Sequence, residues 1–122
     1  VLQTTPPVEQ WRVVADRSLL VRVLGNMVAN ALEATASGGT VRLWCQRHDG
    51  QVRFCVHNAG EIPRDVALRM FQRHFTTKEG AGRGLGTYAM KLLGERHLGG
   101  GVDFETDAAA GTVFRMALPL AR

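Results

Sequence analysis

An Asp-Gly pair at positions 49 and 50 stands between two eight-residue runs, Val-Arg-Leu-Trp-Cys-Gln-Arg-His before it and Gln-Val-Arg-Phe-Cys-Val-His-Asn after it. This dipeptide suits the two consecutive positive-φ positions of a tight hairpin turn, so the segment predicts two antiparallel strands with His48 opposite Gln51. Side chains alternate between faces along a strand, and the turn therefore sorts every residue of the hairpin. Val41, Leu43 and Cys45 share one face with Val52, Phe54 and Val56. Arg42, Trp44, Gln46 and His48 share the other with Gln51, Arg53, Cys55 and His57. One face is apolar and the other largely polar, as in a sheet covered by helices on one side only. Cys45 and Cys55 fall on opposite faces and are not expected to pair, while Asn58 falls on the covered face and His57 on the open one.

The flanking segments supply the helices. Residues 1–10, with Pro6 and Pro7, read as an extended linker stub, and residues 11–14 as a short strand. Asp16 stands at an N-cap position before Leu20, Val23, Leu24, Met27, Val28, Ala31 and Thr35, whose three- and four-residue steps mark a long helix stopped by Ser37-Gly38-Gly39. A short helix is expected over residues 63–71, with Pro63 near its start. Residues 73–83 lack periodicity and lie among glycines 80, 82 and 84. Leu85, Ala89, Leu92 and Leu93 mark a further helix that ends at Gly99-Gly100-Gly101. Strands follow over residues 102–107 and 113–118, joined through Gly111. The expected architecture is one domain over residues 11–122. It is a two-layer α/β sandwich with a mixed, mainly antiparallel sheet and about three helices on one face.

Composition narrows the class. Apolar residues make up 45% of 122, enough for a core, and no apolar run approaches the roughly 20 residues that cross a bilayer. No signal-peptide pattern opens the sequence. The net charge of +4 is scattered, with no basic stripe interleaved with aromatics, so no nucleic-acid partner is expected. Two cysteines without metal-ligand spacing fit a reducing compartment, and a cytoplasmic domain is expected, free or as the cytoplasmic part of a membrane-anchored protein.

Three polar features stand apart from the core pattern. Asn26 and Asn30, four residues apart on the long helix, share a stripe with Arg22 and Glu33 at the edge of its apolar arc. Gly82-Arg83-Gly84-Leu85-Gly86 opens directly into a helix, where free N–H groups and close backbone approach suit a phosphate. It is neither the dinucleotide fingerprint nor a P-loop. Asn58, at a strand end and aimed inward, has an amide able to read the edge of a buried base. Singly, each also fits a plainer role: a solvated pair, a flexible turn, a turn-former.

Together and in this order they resemble the GHKL (Bergerat-fold) ATPases, and the histidine kinase branch most closely. Asn26-x-x-x-Asn30-Ala-x-Glu33-Ala is similar to the family's N box, and Asn58-Ala59-Gly60-Glu61-Ile62-Pro63 to its G1 box. Met70-Phe71-Gln72-Arg73-His74-Phe75-Thr76-Thr77-Lys78 resembles the F box and ATP lid. Gly82 to Gly86 fits the G2 box, and Gly111-Thr112-Val113-Phe114 the last glycine motif. The resemblance implies ATP and Mg²⁺ as cofactors. Asn30 would coordinate the metal, with Asn26 and Glu33 on its waters or the phosphates. Asn58 would accept from the adenine amino group, with Gly60, Ile62 and Thr112 beside the nucleotide. Gly84, Leu85 and Gly86 would offer N–H groups to the phosphates, and Thr77, Lys78 and Arg83 would serve from the lid. Asn26, Asn30 and Lys78 would be the catalytic set. The implied partners are a histidine-bearing dimerisation domain of the same protein and, downstream, a response regulator, with the isolated domain monomeric.

This sequence departs from the family at the G1 box, where Asn58 replaces the usual Asp and one glycine is missing before Ile62. A rival alignment sets His57 in the Asp position, against the hairpin register. No His-Glu/Asp-x-x-x-Pro acceptor box occurs: His48-Asp49 begins one but has Arg53 in place of the proline and lies in a turn. Gyrase-like relatives carry a Glu where Asn26 stands, as general base on water, a role Asn cannot take. Phosphoryl transfer to an external histidine is thus expected ahead of hydrolysis by an independent ATPase. The runner-up is a degenerate regulatory module that keeps the fold without phosphotransfer.

Overall fold

The computed structural model describes residues 1–6, 10–71 and 86–121. Five strands form one sheet in the order β1-β2-β3-β5-β4, with β1 Leu2–Thr5, β2 Val41–His48, β3 Gln51–Asn58, β4 Gly101–Asp107 and β5 Gly111–Pro119. β1 lies parallel to β2 and every other pair is antiparallel. The β2–β3 turn is the expected one: Asp49 and Gly50 take φ of 48° and 76°, and His48 pairs with Gln51.

The inner face is built in rows. Cys45, Phe54, Met116 and Val102 form one, and Leu43, Val56, Phe114 and Phe104 the next. The last row changes character: Val41, Asn58, Thr112, Thr106. Helix α1 (Arg17–Ala34) lies over β2, β3 and β5, bringing Val23, Met27 and Ala31 into the core. Val23 and Met27, fully removed from water, each contribute on the order of 1.5–3 kcal/mol, and the Ala31 methyl about 0.8 kcal/mol. Its start is capped as expected, with Leu19 N–H donating to Asp16 Oδ1 at 3.1 Å. Phe71 meets Phe104 and Phe114 edge-on, at centroid distances of 5.6 and 6.3 Å.

Four segments differ from expectation. Residues 2–5, within the stretch read as a linker, are β1; all four are exposed, so the strand carries no alternation to reveal it. Residues 11–14 stay outside the sheet, although Val13 packs on the core and the Arg12 carbonyl accepts from Ala121 N–H at 2.7 Å. The short helix α2 covers only Arg64–Ala67, because the chain tightens at once into three-residue turns (Arg69 N–H to Val66 O, Met70 N–H to Ala67 O). Helix α3 (Gly86–Lys91) widens into a π-helical segment, Leu92–His97, with Leu98 N–H donating back to Leu93 O.

The widened turn sets buried Gly94 against β4 and β5. A Cβ there would overlap the Val102 Cγ2 methyl and lie 2.9 Å from Met116 Sδ. Gly94→Ala should therefore lower stability by about 2 kcal/mol, read as a fall of several degrees in thermal midpoint.

On the open face Arg115 bridges Asp103 and Glu105 at 2.7 and 2.9 Å. Both cysteines are free. Cys55, 1% exposed, lies between its long cross-strand neighbours Trp44 and Arg115. Burial pushes its thiol from 9.0 up to about 11, an effect that Arg115 only partly offsets. A raised folded-state value means stability that is complete below pH 9 and is lost as pH climbs through 11. Denaturant unfolding across that window should show this alkaline decline, and Cys55→Ala should flatten it.

Candidate functional site

The inner face ends beside a cavity of about 310 Å³, at the lower end of the range for small-molecule sites. Helix α1 contributes Asn30 and Ala34. The end of β3 and the loop after it contribute Asn58, Ala59, Gly60, Glu61, Ile62 and Pro63. Val66 and Met70 come from α2 and its following turn, and Thr112 and Phe114 from β5. The walls are mostly apolar, with a few convergent polar groups, as in small-molecule sites generally. Among the described residues Glu61 is the one ionisable group of the lining, and it is exposed.

Asn58 is 5% exposed and aligned with Val41 on one side and Thr112 on the other. Its Nδ2 donates to the Ala59 carbonyl at 2.9 Å. Among the described residues its Oδ1 takes no hydrogen bond, so the acceptor end remains for a ligand. His57, one residue earlier, belongs to the opposite face and meets the Ala110 carbonyl through Nε2 at 2.7 Å. The rival placement of His57 in the cavity is excluded.

The corner is close-fitting. Gly111 has φ +86°, and a Cβ on it would stand 2.5 Å from the Asn58 carbonyl oxygen and 3.0 Å from His57 Nε2. Thr112, 1% exposed, donates through Oγ1 to the Gly60 carbonyl at 2.8 Å. Thr106 Oγ1 lies 2.8 Å from Thr112 Oγ1 and accepts from Ile62 N–H at 2.8 Å.

The cavity brings together Asn30, Asn58, Gly60, Ile62 and Thr112 of the residues expected from sequence. Asn26, half-buried one turn before Asn30, and exposed Glu33 lie outside its lining. Gly86 opens α3. Thr77, Lys78, Arg83, Gly84 and Leu85, with the whole lid over residues 73–82, fall outside the described residues. Val66 and Thr106 were not anticipated. A threonine near the end of a strand reads as an ordinary β-former, and the 44-residue separation from Ile62 hides the contact. A larger trough of about 670 Å³ on the open face, along Trp11, Arg42 and Trp44, holds none of the expected site residues.

Comparison with known proteins bears on this site. Residues 15–122 match the family model described as histidine kinase-, DNA gyrase B- and HSP90-like ATPase. The sensor protein DivL of Caulobacter vibrioides is 37% identical over 105 residues, 85% of this chain and 13% of that protein. A probable C4-dicarboxylate sensor kinase of Halalkalibacterium halodurans is 32% identical over 108 residues, 84% of this chain and 20% of that protein. The chain thus spans less than a quarter of either relative. Among solved structures, the nucleotide-free catalytic domain of histidine kinase ThkA superposes with a TM-score of 0.83 at 34% identity, covering 97% of this chain and 77% of that one. Full-length ShkA in complex with AMPPNP gives 0.82 at 27% identity, covering 98% and 25%.

Gly111→Ala should press the start of β5 off the Asn58 corner. We expect a loss of about 2 kcal/mol in thermal or denaturant unfolding, from the positive φ and the overlap together.

Proposed function

The chain belongs to the histidine kinase-, DNA gyrase B- and HSP90-like ATPase family, and from that premise we propose that it binds ATP and transfers the γ-phosphoryl group to a histidine on a separate dimerisation domain. The observation that carries the reading is the cavity itself, which joins Asn30 of the long helix to inward-facing Asn58 over an apolar floor. Adenine fits there, its amino group donating to Asn58 Oδ1 and its ring between Ile62 and the side chains of Val66, Met70 and Phe114. The ribose and phosphates would leave past Asn30 toward Gly86, the first residue of α3.

Among the described residues no three His, Cys, Asp or Glu side chains gather to hold a metal. The hard amide oxygen of Asn30, completed by phosphate oxygens and water, is the donor set that would fit Mg²⁺. Mg²⁺ when bound supplies charge neutralisation on the phosphates. The chain's own part is to orient the nucleotide and exclude water from the base. Asn26 stands one turn from Asn30, and an amide there abstracts no proton from water, which favours transfer over hydrolysis. The roles proposed for Thr77, Lys78, Arg83, Gly84 and Leu85 rest on motif position alone.

A second reading, a regulatory module that binds nucleotide without transfer, is favoured by Asn58 in place of the family's Asp. Labelled ATP offered to this chain together with a histidine-bearing dimerisation domain separates the two. Label on the histidine supports the kinase, and nucleotide binding without label supports the regulatory module. In calorimetric titration with AMPPNP, Asn30→Ala should abolish the Mg²⁺-dependent part of the affinity, about tenfold or more, and leave metal-free binding nearly unchanged. Equal Mg²⁺ dependence in mutant and parent would remove Asn30 from the metal site.

A further inference from the structure

Resting on the reading of the cavity as a purine nucleotide site, we infer that Thr106 is a positioning residue that sets which end of the Asn58 amide faces the base. A threonine hydroxyl carries one proton. That of Thr112 is committed to the Gly60 carbonyl at 2.8 Å. The 2.8 Å contact between the two hydroxyls must therefore be donated by Thr106, whose lone pair receives the Ile62 N–H. The chain has one direction only: Ile62 N–H to Thr106, Thr106 O–H to Thr112, Thr112 O–H to Gly60 carbonyl. It ties both ends of the three-residue turn 60–62 to the ends of β4 and β5.

That turn follows directly on Ala59, whose carbonyl receives Asn58 Nδ2 at 2.9 Å. An amide has a donor end and an acceptor end of nearly the same shape, and its neighbours alone decide which points where. With Ala59 O held in place, the donor end is occupied and the acceptor end is presented to the ligand. The site then takes a purine with a 6-amino donor and disfavours one with a 6-oxo acceptor. A carboxylate at this position would need no such control, because both its oxygens accept.

Without the Thr106 hydroxyl, Ile62 N–H and Thr112 Oγ1 each lose a partner. The turn is released, Ala59 O is no longer fixed, and the amide can rotate to greet either base.

The test uses the 122-residue chain with Thr106→Val, which removes the hydroxyl at nearly constant shape, and Thr106→Ser, which keeps it. Affinities for ATP and inosine triphosphate are measured for each protein by calorimetry, and exchange of the Ile62 amide by NMR. The parent and Thr106→Ser should prefer ATP and protect Ile62, whereas Thr106→Val should expose Ile62 and lose about tenfold of the preference. A change in thermal midpoint alone would not alter that ratio. An unchanged ATP-to-inosine ratio in Thr106→Val overturns the positioning role and leaves the nucleotide site standing. A parent protein that binds neither nucleotide, while Ile62 still depends on Thr106, overturns the functional reading and this role with it.

Discussion

The pairing register of β3 is the constraint on which the rest of the structure depends. A slip of one residue would turn every side chain of the strand over, bringing His57 to the inner face in place of Val56 or of Asn58, according to its direction. The register is held from both sides: by the Asp49-Gly50 turn, which sets β3 against β2, and by eight consecutive partners on β5. Because β3 is central, its last inward residue is carried to a fixed point at the end of the inner face. The helix α1 covers that face with Met27 and Ala31 and brings Asn30 to the same end. Two amides 28 residues apart in sequence meet at one cavity for reasons that are wholly backbone geometry.

The row structure explains why a cavity forms there and not elsewhere. Rows of Cys45, Phe54, Met116, Val102 and of Leu43, Val56, Phe114, Phe104 fill the space beneath the helices. In the next row Asn58, Thr112 and Thr106 are smaller and polar, and their hydrogen bonds go to the loop 59–62 rather than across to a helix. Side chains that fold their polar atoms back onto their own loop leave the space in front of them empty. The same bonds satisfy groups that burial would otherwise penalise by about 1–3 kcal/mol each.

How far the sequence discloses this depends on how local each cause is. The β2–β3 turn, the Asp16 cap, the α1 periodicity and the inward placement of Asn58 all follow from neighbours within a few residues, and all stand in the structure as read. β1 leaves no trace because an exposed edge strand has no apolar period. The π-helical widening at Leu92–His97 depends on Gly94 meeting Val102 and Met116, a fit between elements that periodicity does not encode. Thr106 is hidden for the same reason: its partners lie 44 and 6 residues away, and only the fold brings Ile62 N–H to it. The groups that hold the Asn58 corner in place thus stay silent in the sequence.

Asn58 is where this matters most, since the family pattern has a carboxylate there. A charge in that position, 5% exposed, would face the Ala59 carbonyl, an acceptor, with the hydroxyl of Thr112 already donated to Gly60. Desolvation without a compensating donor is costly for an ionised group. An amide carries its own donor and spends it on Ala59 O, so the neutral residue suits this particular loop better than the charged one would.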